Sequence, residues 1–138
     1  MSLHGDLVRN PVIMAVDDDL GVLHAVERDL SSHYSGRFRI LAAESGESAL
    51  EALRDLKVRG DAVALLVVDQ RMPAMSGMEL IAKLRGQDIA TPAVLIVSQP
   101  NVAISARAAK IGVPVVEKPF LGNGLVEKIR HACRPDAD

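Results

Sequence analysis

The sequence predicts an α/β fold in which five short parallel strands alternate with five helices in a doubly wound sheet. Three observations carry this. Five short apolar runs alternate with stretches whose apolar residues recur every three or four positions. Most of the runs are unbroken, the pattern of strands buried on both faces by helices packed on each side of a parallel sheet. The 138 residues are enough for one such core and too few for a second.

The elements follow in order. Val12 to Val16 is the first strand and stops at Asp17; Leu20, Leu23, Val26 and Leu30 then mark a helix, with Asp19 expected as its cap. Phe38 to Ala43 is the second strand. Ala49, Leu50, Leu53 and Leu56 form the next helical stripe, and Gly60 sits where a helix stop is expected. Val63 to Val68 is an unbroken apolar run ending at Asp69. Gln70 to Gly77 holds Pro and Gly and reads as a loop. Leu80, Ile81 and Leu84 mark the third helix, and Ala93 to Val97 the fourth strand, ending at Ser98. Val102 to Ile111 is an Ala-rich helix whose stripe Ala103, Ala106, Ala108 and Ala109 is expected to pack on the sheet. Val113 to Val116 is the fifth strand, followed by Glu117 and Lys118. Leu125, Val126, Ile129 and Cys133 give the last helix, with Asn123 as its expected cap and Cys133 as a small core residue. Met72, Met75 and Met78 are expected to fill loop and core space. The expected organisation is an N-terminal extension over 1–11, one domain over 12–133, and a tail or linker stub over 134–138.

Composition narrows the function. Sixteen basic against eighteen acidic residues give a net charge of -2, so no electrostatic case exists for nucleic acid or an anionic membrane as partner. One Tyr, two Phe and no Trp make base or sugar stacking a poor expectation. A single Cys forms no internal disulfide, and no apolar stretch approaches the roughly 18 residues of a membrane span. A cytoplasmic location is the resulting expectation.

The topology says where chemistry should sit. In open α/β sheets, ligands bind beyond the carboxyl ends of the strands, near the switch in strand order. In a flavodoxin-like order, 2-1-3-4-5, strands 1, 3, 4 and 5 are neighbours. Their ends carry Asp17, Asp18 and Asp19, then Asp69, then Ser98, then Lys118. Carboxylates crowded on one edge repel, and a divalent cation resolves this. Magnesium suits an all-oxygen site, while the absence of His or Cys at the strand ends disfavours zinc. A carboxylate can also attack phosphorus to form an acyl phosphate, with cations stabilising the phosphoryl oxygens. Magnesium and Lys118 supply that charge, and the Ser98 hydroxyl a hydrogen bond.

Four segments, Val16-Asp17-Asp18-Asp19, Val67 through Gly77, Val94 through Ser98, and Glu117-Lys118-Pro119-Phe120, resemble the four signatures of response-regulator receiver domains. The resemblance runs from about Val12 to Cys133. It implies phosphorylation of Asp69 by a histidine kinase or phosphotransfer protein. It implies magnesium (manganese as a substitute) on Asp17, Asp18, Asp69 and the backbone carbonyl of Arg71. It further implies phosphoryl binding and switching through Ser98 and Lys118, and a cis bond between Lys118 and Pro119. Such a domain is no enzyme beyond its own phosphotransfer and dephosphorylation. It signals to a downstream effector or fused output domain, and a homodimer through helix 4, strand 5 and helix 5 is a further expectation. The run Asp69-Gln-Arg-Met-Pro also resembles, more weakly, receivers placed ahead of thioredoxin-reductase-like flavoproteins.

Three departures stand out. Val115 occupies a position usually aromatic in the family, so the aromatic switch is absent or rebuilt. Gln99 follows Ser98 where a small residue is usual, and Arg71 is a long cation two residues past Asp69. Gln99 and Arg71 are expected to alter the lifetime of a phosphoryl-aspartate. Two rival readings remain. A pseudo-receiver used only for binding is disfavoured by the intact Asp17, Asp18, Asp69, Ser98 and Lys118. A magnesium-dependent aspartyl phosphatase is disfavoured because Arg71 stands where its acid/base Asp belongs.

Overall fold

The computed structural model describes residues 10–89, 91–118 and 124–132. Strands β1 (Val12–Val16), β2 (Arg39–Ala43), β3 (Val63–Asp69), β4 (Ala93–Val97) and β5 (Val115–Glu117) alternate with helices α1 (Leu20–Tyr34), α2 (Gly46–Val58), α3 (Gly77–Gly86), α4 (Val102–Lys110) and α5 (Gly124–Ala132). All strand pairs are parallel, in the order β2-β1-β3-β4-β5.

Successive side chains on a strand point to opposite faces, and the core divides accordingly. Met14 and Val16, Leu66 and Val68, and Leu95 and Val97 pack with the apolar stripes of α2 and α3. Ile13 and Ala15, Leu65 and Val67, and Val94 and Ile96 pack with Leu23, Val26 and Leu30 of α1 and Leu125, Val126 and Ile129 of α5. Both faces of β1, β3 and β4 are therefore covered, which is why these strands read as unbroken apolar runs. Edge strand β2 is only part-buried.

The helix starts follow local rules. Asp19 caps α1, its side chain accepting from Val22 N at 3.2 Å, as the sequence predicts. Ser45 and Ser76 form capping boxes at α2 and α3, and Asn101 caps α4. Met72 and Met78 are buried, and half-buried Met75 packs against the same core.

Some expectations are corrected. β5 spans Val115–Glu117 rather than starting at Val113, because Val113 is taken up by the turn that ends α4, its N–H donating to Ala108 O. β2 begins at Arg39, while Phe38 turns back and stacks edge-on against Tyr34 with centroids 5.8 Å apart. The alanine stripe of α4 does not pack on the sheet: Ala108 is buried, whereas Ala103, Ala106 and Ala109 are exposed. Ala103, Ala106 and Ala109 follow at three-residue steps and share one side of the helix, but the helix meets the sheet along the line of Ile104 and Ala108, on another side. The Lys118–Pro119 bond, the Asn123 cap and Cys133 lie outside the described residues.

Candidate functional site

Asp17 and Lys118 are held one step past a strand end, and Asp69 at one, by continued ladder hydrogen bonds. Asp17 N donates to Ala43 O at 3.2 Å, extending the pairing of β1 with β2. Asp69 is the last residue of β3, in register with Ile96 of β4, and Gln70 N donates to Ile96 O at 2.8 Å. Lys118 N donates to Val97 O at 2.9 Å, extending β4 with β5. Three segments distant in sequence thus meet on one edge with their backbones fixed.

Carboxylate oxygens of Asp17, Asp18 and Asp69 all lie within 4.8 Å of one another. Asp17 and Asp69 are each only 5% exposed, while Asp18 is exposed. Lys118 Nζ stands between the buried pair, 2.9 Å from Asp69 Oδ1 and 3.5 Å from Asp17 Oδ2. A second Asp17 oxygen accepts from Asp19 N at 3.0 Å, which orients its carboxylate.

Burial pushes the Asp69 carboxyl above its ordinary 3.8. The Lys118 hydrogen bond opposes this without offsetting it, because the charges of Asp17 and Asp18 push the same way as burial. Burial works against the charge of Lys118, yet its ammonium is held above the ordinary 10.5 by the hydrogen bond and charge of Asp69 and by Asp17. The contact is thus favourable for the lysine and insufficient for the aspartate, since two further carboxylates crowd only the aspartate. The site has one cation too few for its acids.

That deficit fits a hard divalent cation. Oxygens bound directly to magnesium at about 2.0–2.1 Å lie at most about 4.2 Å apart. With oxygens within 4.8 Å of one another, the three carboxylates could hold one ion after a small side-chain adjustment, or with one bound through water.

Beside the acids lies a cleft of about 100 Å³, lined by Gln70, Arg71, Val97, Ser98, Gln99, Pro100, Asn101 and Ile104. The structure brings Lys118 into contact with Asp17 and Asp69 and places Asp18 within 4.8 Å of these two acids. Exposed Ser98, Gln99 and Arg71 share the neighbouring cleft. Half-buried Val115 lies on β5 opposite Leu95 and packs against the core cluster that holds Ile104 and Ala108.

Two residues of the site were not singled out from the sequence. A Cβ on Gly77 would sit 2.7 Å from Asp69 O and 2.6 Å from Leu95 Cδ1, so only glycine lets α3 start against the end of β3. Gln70 accepts from Met78 N at 2.9 Å through its side chain and from Gly77 N at 3.1 Å through its carbonyl, closing the 70–77 loop. Within that loop Met75 N donates to Pro73 O at 2.7 Å around Ala74, whose φ of 67° is a rare, strained γ-turn conformation. A glycine opening a helix and a polar residue directly after a buried strand were the available signals.

The family model of the response regulator receiver domain matches residues 13–130. The transcriptional regulatory protein FixJ of Bradyrhizobium diazoefficiens is 28% identical over 123 residues, 88% of this chain and 56% of that protein. The transcriptional regulatory protein PrrA of Mycobacterium tuberculosis is 30% identical over 128 residues, 92% of this chain and 52% of that protein. The chain thus spans about half the length of these relatives. The crystal structure of FixJ-N superposes with a TM-score of 0.73 at 28% identity, covering 91% of this chain and 94% of that one. The weaker likeness to flavoprotein-linked receivers gains no support from these relatives. With the strand order, the acidic strand-end cluster and the matching family model together, the chain belongs to the response regulator receiver domains of two-component signalling.

Proposed function

We propose that Asp69 is the phosphoacceptor. The observation that carries this is the pairing of its buried carboxylate with Lys118 at 2.9 Å beside two further acids. A carboxylate oxygen of Asp69 attacks the phosphorus of a phosphohistidine. The P–O bond forms as the P–N bond breaks, and the imidazole leaves with a proton. Asp17, Asp18, Asp69 and the Arg71 carbonyl are the groups that would hold magnesium, or manganese in its place. When bound there, such an ion would supply positive charge to the phosphoryl oxygens. Lys118 supplies the second charge, moving from the carboxylates toward the phosphoryl group. Ser98 donates to a phosphoryl oxygen from the neighbouring cleft. The only chemistry is this self-catalysed transfer and the later hydrolysis.

The donor is a histidine kinase or phosphotransfer protein, and the signal passes to an effector or a fused output domain. The receiver proper occupies residues 12–133, with 1–11 as an extension and 134–138 as a tail or linker. The location we propose is the cytoplasm; among the described residues no helix is long and apolar enough to cross a membrane. Pairing of two copies through α4, β5 and α5 is favoured by the exposed face of α4, where Val102 is 87% exposed.

The test is intact mass after incubation of the protein with acetyl phosphate. A gain of one phosphoryl group that requires magnesium is expected. No gain, with beryllofluoride also failing to bind, would establish a pseudo-receiver. Steady release of phosphate without adduct would establish a phosphatase.

Arg71 and Gln99 line the cleft next to the acceptor. Both are proposed to shield a phosphoryl group from attacking water, Arg71 by its long cationic side chain. Arg71→Ala is therefore expected to shorten the phosphoryl-aspartate half-life several-fold; equal hydrolysis rates for the two proteins would remove Arg71 from this role.

A further inference from the structure

We propose that Gln70 is the positioning residue of the metal site, holding the acceptor strand and the Arg71 peptide in place by stapling the loop to the start of α3. This rests on the reading of Asp17, Asp18, Asp69 and the Arg71 carbonyl as metal-binding groups.

The staple has three hydrogen bonds. Gln70 N donates to Ile96 O at 2.8 Å, its carbonyl accepts from Gly77 N at 3.1 Å, and its side-chain Oε1 accepts from Met78 N at 2.9 Å. A helix leaves its first N–H groups without partners. At α3, Ser76 N donates to Glu79 Oε1 and Glu79 N to Ser76 Oγ. Gln70 satisfies the two amides between them, so one residue outside the helix closes half of that terminus.

The consequence reaches the neighbouring residues. The bonds at Gln70 N and O fix the peptide planes on either side of it. Asp69 is thereby held from behind, and the nitrogen of Arg71 from in front. Met72, the next residue on, is buried in the core. Arg71 is thus bracketed by an immobilised peptide and a packed side chain, leaving only its own two dihedrals to aim its carbonyl. Groups that orient metal ligands without touching the metal commonly change affinity by about 10–100-fold when lost. An apolar residue at position 70 would keep the two backbone bonds and lose the third, leaving the part-buried Met78 amide without its acceptor.

The test uses the full chain and magnesium alone, with no phosphodonor. Magnesium affinity is read by titration calorimetry, and the Met78 amide by hydrogen exchange. Gln70→Met keeps length and volume without the acceptor; it is expected to lose protection at Met78 and about tenfold in magnesium affinity. Gln70→Glu restores an acceptor and is expected to protect the amide and bind magnesium at least as well as wild type. Ser76→Ala uncaps the same helix turn from the other side; it is expected to lower stability while leaving affinity as in wild type. Unchanged affinity in Gln70→Met beside normal binding by wild type would overturn this inference alone. So would an equal loss in Ser76→Ala, since the effect would then be general weakening of α3. Absence of magnesium binding by wild type would overturn the metal reading itself, and this inference with it.

Discussion

Asp69→Asn is expected to take up no phosphoryl group from acetyl phosphate, and to melt at a higher temperature than wild type at neutral pH without magnesium. The first effect follows because an amide oxygen is not a usable nucleophile toward phosphorus here. The second follows from linkage. The folded Asp69 has its pKa raised above 3.8 by burial and by Asp17 and Asp18. Between the unfolded and folded pKa the native state binds more protons than the unfolded state, so stability falls as pH rises through that window. Above the folded pKa the whole penalty is present; below about 3.8 it is absent. The asparagine carries no such penalty at any pH. The melting difference should therefore be largest at neutral pH and vanish toward acid, and added magnesium should narrow it by stabilising the wild type more than the variant. Melting curves of both proteins across pH, with and without magnesium, check this. A variant that melts lower than wild type at neutral pH would mean that the Lys118 contact outweighs the crowding of the acids.

Gly77→Ala is expected to cost about 1–3 kcal/mol of stability and to slow phosphoryl uptake. The sign is informative, because inside a helix glycine to alanine ordinarily stabilises by roughly 0.5–1 kcal/mol. Here the new methyl group would approach the Asp69 carbonyl at 2.7 Å and Leu95 Cδ1 at 2.6 Å. The leucine tip can yield, but the carbonyl is backbone of the last residue of β3, the residue that carries the acceptor. Relief must therefore come from moving α3 or the end of β3, and either one shifts Asp69 relative to Lys118. Urea unfolding midpoints and the rate of phosphorylation by acetyl phosphate check the two parts. An unchanged or raised midpoint would show that α3 can back away from the sheet without cost.

Comparing expectation with structure shows where chain-local information ends. β1 and β4 match their expected spans, because strands buried on both faces must be apolar at every position. The β5 boundary does not match, because Val113 and Val115 are both apolar and only the turn closing α4 decides which one pairs with β4. The α4 stripe fails for a related reason. Alanine has high helix propensity whether or not it is buried, so its spacing marks a helix without marking which side meets the sheet. The result is a helix with one buried residue, Ala108, beside a strand that carries Val115 where an aromatic is expected. The start of that helix is fixed by Asn101, whose side chain accepts from Ile104 N at 3.0 Å.

By itself the sequence determined the (βα)5 order, the residues at the strand ends and the kind of chemistry they could share, because burial pattern and residue type are local properties written along the chain. Only the tertiary structure decided that Lys118 bridges Asp69 and Asp17, that this leaves the acids short of positive charge, that Gly77 is required for space, and that Gln70 closes the loop. Those facts depend on distances between segments brought together by parallel pairing, and a few tenths of an ångström in such distances separate a hydrogen bond from a clash.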